Sequence, residues 1–130
     1  MRFMMMVKSA ESSGLPPKQL TEAITKLTEE AAKGGTMVGG GMLGATALGV
    51  RVRLSRGEVT VIDGPFTEAK EVVGGYVMLE LRSKEEAIEG AMHFMELHKK
   101  HWPGWEGETE IRQVVGLEIC KRHFTAVWTN

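Results

Sequence analysis

Two residue types in this chain are suited to moving a proton: the carboxylate of Asp63 and the imidazole of His98. A carboxylate poised by partial burial and a nearby cation can act as general acid or base. A neutral imidazole can accept a proton near physiological pH. Each has a structural alternative. Asp63 begins the run Asp63-Gly64-Pro65, where Asp can bond its own following backbone and Pro fixes the next φ angle, so the carboxylate could simply cap a turn. His98 falls at helical spacing from Ala91 and Met95, and a core or interface histidine there needs only one hydrogen bond to be satisfied.

The candidate substrate-binding residues are Glu68, Lys70, Arg112, Tyr76 and Trp102. Glu68 and Lys70, with Glu71, read either as a polar pocket mouth or as solvated loop charges that pair for under about 1 kcal/mol each. Arg112 could hold an anionic substrate through two parallel hydrogen bonds, or could pair with Glu110 or with a carboxylate of a second copy. Trp102-Pro103-Gly104-Trp105 offers an aromatic wall to a flat ligand, or closes a helix end against a sheet. No metal site is expected: His98 and His101 are three residues apart, but no carboxylate or cysteine stands at a companion spacing. No cofactor is expected either, because Gly39-Gly40-Gly41 lacks the GK[ST] ending of a phosphate loop.

These residues must be positioned by a single domain, for which 130 residues suffice. A formal net charge of −1 argues against nucleic acid, whose phosphates need clustered Lys and Arg. The lone Cys120 gives no internal disulfide, and the opening MRFMMMVKSA has only six apolar residues before Lys8, short of a signal core or membrane span. The expected location is cytoplasmic, with no membrane partner.

Along the chain, Arg2 to Lys8 reads as a strand apolar on both faces, and Pro16-Pro17 opens a helix with the stripe Leu20, Ile24, Leu27, Ala31. Gly34-Gly35 ends it. Seven glycines between Gly34 and Gly49 predict a flexible loop with at most a short strand around residues 36–38. Val50 to Leu54 and Glu58 to Ile62 alternate around Ser55-Arg56-Gly57, which predicts a β-hairpin. Val73 to Arg82 is a further strand. Ser83 and Glu86 form the sequence pattern of a capping box before a helix with the stripe Ala87, Ala91, Phe94 or Met95, His98. Glu108 to Val115 is the last strand, so a domain over 1–115 is followed by an extension over 116–130. The order predicts an α+β, ferredoxin-like antiparallel sheet with two helices on one face. Met4, Met6, Tyr76, Met78 and Val114 would then lie on an uncovered face, and a homodimer through that face is the expected remedy.

The run from Asp63 to Tyr76, DGPFTEAKEVVGGY, resembles the signature of the DGPF, or YCII-related, domain family. The Met-rich first strand, the Gly-rich loop, the VRV hairpin strand and Glu110-Ile111-Arg112 extend the likeness over most of residues 1–115. The stretch HKKHWPGWE from His98 is similar to one subgroup. The resemblance implies a dimeric α+β-barrel; a few relatives act on small chlorinated aromatic compounds, and an acid paired with histidine is the proposed reacting centre of the wider family. The N-terminal histidine of those relatives has no counterpart, since the first histidine here is His93. The expected function is therefore small-molecule binding, or cofactor-independent proton transfer or elimination on a small organic substrate. The alternative is a non-catalytic regulatory module, linked to a sigma factor as the gene neighbourhoods of some members suggest. Haem or oxygen chemistry, seen in other barrels of this kind, is demanded by no residue.

Overall fold

The computed structural model describes residues 1–116. Strand β1 (Arg2–Ser9) is followed by helix α1 (Lys18–Lys33) and strand β2 (Met37–Met42). A hairpin of β3 (Val50–Ser55) and β4 (Glu58–Asp63) comes next, then β5 (Val72–Glu80), α2 (Lys84–His101) and β6 (Gly107–Val114). Strands β2, β5, β1 and β6 form one sheet in that order, and β3 and β4 form a separate two-stranded sheet. Every pairing is antiparallel. Removing the hairpin leaves the split β-α-β arrangement of a ferredoxin-like fold.

Period-two alternation assigns the two faces of the sheet. Phe3 and Met5 of β1 are buried, and Met5 stands opposite Val77 on one side and Ile111 on the other. With Leu79, Leu81, Ala87 and Ala91 they make the core between sheet and helices. The intervening residues Met4 and Met6 pair with Met78 and Tyr76, and with Arg112 and Glu110. They face away from the helices. The outer edges of this second face carry ion pairs: Arg2 with Glu80 at 2.6 Å, and Lys8 with Glu110 at 3.0 Å and Glu108 at 3.3 Å.

Helix α1 follows Pro17 as its N-cap, has no side-chain cap, and buries Leu20 completely. Gly35, at φ +75°, carries the chain out of the helix in a conformation that disfavours side-chain-bearing residues. Helix α2 is capped as its sequence predicts, but only by half. The Glu86 N–H donates to Ser83 Oγ at 3.2 Å, while the Glu86 carboxylate accepts from Arg82 Nε at 3.0 Å instead of returning to the Ser83 backbone. Ser83→Ala should therefore cost about 1 kcal/mol, the ordinary value of a lost N-cap, and urea unfolding of the two proteins would measure it. A loss below about 0.3 kcal/mol would show that the Arg82–Glu86 pair, not the cap, holds this turn.

The glycine-rich segment differs from the expectation. It is an edge strand: Gly39, Gly40 and Gly41 pair with Met78, Val77 and Tyr76 of β5. Side-chain pattern is a poor guide to such a strand, because the backbone ladder alone forms it. A Cβ on Gly40 would lie 3.0 Å from Val77 Cα and meet the Tyr76 carbonyl at 2.6 Å, so the close approach of the two backbones requires glycine there. Among the described residues, no helix is long and apolar enough to cross a membrane.

Candidate functional site

Chemistry-bearing residues collect in two places. The first is the base of the hairpin. The backbone N–H of Gly64 donates to Gly49 at 2.9 Å, and the Phe66 N–H donates to Thr46 Oγ1 at 3.2 Å. Thr46 in turn donates its N–H and its hydroxyl to the Glu11 carboxylate, at 2.7 and 2.6 Å. These two bonds, the hydroxyl's foremost, hold Glu11 below the usual carboxylate range. The guanidinium of Arg51 lies 3.8 Å from the centre of the Phe66 ring and pairs with Glu68. Glu68 is also lowered, first by its own backbone N–H and then by Arg51. The Asp-Gly-Pro-Phe run is thus a clamp that closes the hairpin onto residues 46–49, with a cis Gly64–Pro65 peptide. Glu11 and Thr46 belong to this clamp, and neither carries a local sequence signal for it.

Asp63 stands at the exposed end of β4, opposite Val50. Among the described residues its carboxylate makes no hydrogen bond or ion pair. Asp63→Asn should consequently change stability by less than about 0.5 kcal/mol. Thermal melts of both proteins would check this, and a loss of about 1 kcal/mol or more would identify an unseen cap. Lys70 is exposed on the following turn.

The second place is the C-terminal end of α2. The inward stripe of that helix ends in His98, 5% exposed, below Ala87 and Ala91. The His98 ring lies 4.7 Å from Phe94 and 4.5 Å from Trp105, and Trp105 stacks on Trp102 at 5.8 Å. Trp105 can reach this position because residue 107 is glycine: a Cβ there would collide with the indole ring and lie 2.7 Å from the Lys8 carbonyl. An open cavity of about 360 Å³ is lined here by His98, Lys99, Trp102, Trp105 and Glu106. His98 Nδ1 lies 3.0 Å from the Phe94 carbonyl oxygen, which can only accept. Nδ1 therefore carries the hydrogen, and the neutral ring keeps its lone pair on Nε2. Burial pushes the His98 pKa below 6.5, partly countered by the Phe94 carbonyl. On the same side of the sheet, Thr109 Oγ1 is buried with no hydrogen-bond partner among the described residues.

The predicted site residues thus divide. His98 and Trp102 share the cavity; Glu68 belongs to the hairpin clamp; Tyr76 and Arg112 lie on the helix-free face of the sheet, where Arg112 is 3.8 Å from Glu110. Asp63 is not among the cavity residues. Trp105 was legible as part of the Trp-Pro-Gly-Trp wall, whereas Gly107, which admits its ring, carried no signal of its own. Among the described residues, no cluster of three or more His, Cys, Asp or Glu side chains could hold a metal ion.

These features define a ferredoxin-like α+β domain with an inserted hairpin locked by an Asp-Gly-Pro-Phe clamp. The chain belongs to the YCII-related domain family, whose model matches residues 1–94. The match spans the clamp and ends within α2, before His98 and the cavity. No curated protein matches the chain.

Proposed function

We propose that this YCII-related protein is a homodimer that binds a small, flat organic molecule at the C-terminal end of α2 and transfers a proton to or from it. The supporting observation is the state of His98. Its ring is buried, neutral at pH 7 and held by one nitrogen, so the other nitrogen is a preformed base beside a cavity. The stacked indoles give an aromatic ligand a face to lie on, which is favourable when ring centroids come within about 4.5–7 Å. Lys99 supplies a positive charge for an acidic or phenolate group, and Glu106 a second proton carrier. Proton transfer or elimination is chemistry that an imidazole performs without help. The helix-free face, with Met4, Met6, Tyr76 and Met78 at its centre and ion pairs at its rim, supports the dimer. Its location is proposed to be cytoplasmic.

The test is a screen of small aromatic acids and phenols by quenching of tryptophan fluorescence. Hits should bind the wild type and lose affinity in Trp105→Ala. Bound compounds with an acidic C–H should exchange it for deuterium in heavy water, and His98→Gln should abolish that exchange. Hits whose affinity is indifferent to Trp105, or exchange that survives without His98, would refute the reading.

A further inference from the structure

We infer that the β3–β4 hairpin is a dimerisation arm whose apolar face rests on the helix-free sheet face of a second copy of this chain. The register pairs Val52 with Val61 and Leu54 with Val59, so these four and Val50 share one face of the hairpin. All five are between 56% and 72% exposed. The opposite face carries Arg51, Arg53, Ser55, Glu58 and Thr60 with a half-buried Ile62 at its base, and Asp63 stands at the base of the apolar face opposite Val50. The alternation is that of a ribbon with one buried side, yet among the described residues nothing buries the apolar side. An isolated two-stranded ribbon is marginal in water, so its ordered strands call for a cover.

A second copy supplies the cover. Five aliphatic side chains exposed to this degree present about 400–500 Å², already the largest apolar patch that a monomer commonly shows. A stable interface takes about 800 Å² from each partner, so the arm alone is too small and must be joined by another surface. The helix-free sheet face is that surface. Gly39 and Gly41 stand opposite Met78 and Tyr76, on the same face. A Cβ at Gly39 would meet nothing, and one at Gly41 only the Tyr76 ring at 4.0 Å. The β2 edge is thus bare backbone beside two large side chains, a trough able to receive an aliphatic ridge. Among the described residues the ridge and the trough are both uncovered, and exchange between copies lets them satisfy each other. A two-fold axis makes that exchange reciprocal and closed. The clamp at Gly64, Phe66 and Thr46 then has a purpose: it fixes the angle at which the arm leaves the domain.

This inference rests on the homodimer proposed above, and the experiment separates the two. Val52→Lys with Val61→Glu removes the apolar ridge but leaves a cross-strand pair of opposite charge that keeps the ribbon paired. Sedimentation equilibrium should show the wild type as a dimer and the double variant dissociating at least about 100-fold more readily. Met78→Glu, on the sheet, should dissociate it as well. If Met78→Glu dissociates the dimer and the hairpin variant does not, the sheet-face dimer stands and the arm is overturned. If the wild type is a monomer at 100 µM, both fall. Hydrogen exchange of the wild-type chain gives a second reading that needs no variant. Amides of residues 50–63 should become protected with rising protein concentration, in step with dimer formation. Protection independent of concentration would mean that the chain's own residues cover the ridge, and would overturn the proposal.

Discussion

Gly64→Ala is expected to destabilise the protein by at least about 3 kcal/mol, a fall in Tm of roughly 10 °C or more for a domain of this size. The reason is spatial. A Cβ on Gly64 would lie inside the Thr46 carbonyl group, 2.7 Å from its carbon, and 3.2 Å from the Gly49 carbonyl oxygen. Both obstacles are backbone, so no side-chain rotation relieves them. To accept the methyl group, residues 46–49 must move away, which breaks the Gly64 N–H bond to Gly49 and the Phe66 N–H bond to Thr46. Thr46 in turn would loosen its two bonds to Glu11. The damage therefore spreads from one methyl group to the whole clamp. Gly39→Ala is the matched control: its Cβ meets nothing within 4 Å, and the same methyl group should leave the protomer nearly unchanged in stability. Urea unfolding of both variants measures the contrast. Equal losses would mean that the backbone collision at Gly64 does not set the cost, since a Gly-to-Ala change without a clash lowers the entropy of the unfolded chain and adds about 0.4–1 kcal/mol of stability.

The clamp also shows where reading the sequence stops. That Asp63-Gly64-Pro65 turns the chain follows from local chemistry, and the hairpin before it follows from strict alternation. What the turn closes upon does not. Thr46 is 18 positions before Gly64, and Glu11 lies 35 before Thr46, and a hydrogen bond across such separations leaves no periodicity to detect. The glycine part of strand β2, beyond the short strand read around residues 36–38, was hidden for a related reason. Glycines carry no side-chain pattern, and Gly39 to Gly41 become a strand only because β5 offers them a ladder. Helix α2, in contrast, was legible to the residue: its stripe placed Ala87, Ala91 and His98 against the sheet, where they are buried. The four-residue spacing of Phe94 and His98 even contains the Nδ1 bond, since a histidine can reach the carbonyl one turn back. The aromatic wall was legible in the Trp-Pro-Gly-Trp run, but the seat of Trp105 against His98 was not, because it depends on a glycine two residues on whose missing side chain admits the ring. Alternation likewise separated Arg112 from Ile111 and placed it with Glu110. It could not tell that His98 and Arg112 serve opposite faces of one sheet, because that requires knowing on which side the helices lie.

His98→Gln is expected to lower turnover by about 10²–10⁴-fold, the usual contribution of a positioned general base, while leaving the fold intact. Glutamine retains an N–H that can reach the Phe94 carbonyl, and it removes the basic nitrogen. The same variant should flatten part of the stability profile against pH, and the sign follows from the direction of the shift. Burial places the folded-state pKa of His98 below 6.5, the ordinary value, which the unfolded chain retains. Above that value both states hold a neutral ring and His98 contributes no pH dependence. As the pH falls through 6.5 the unfolded chain takes up a proton that the folded chain still refuses, so stability declines until the folded pKa is reached. Below about pH 6.5 the wild type should lose more stability than His98→Gln, and the difference between their curves cancels the other histidines, which are common to both. Activity should show an acid limb that lies below pH 6.5, because only the neutral ring can act as base, and should be flat from about pH 7 to 8. A variant with wild-type turnover would return His98 to a purely structural role. A stability difference of opposite sign, with the wild type relatively stronger in acid, would mean that the imidazolium is the form the fold prefers, held by a carboxylate such as Glu106 across the cavity.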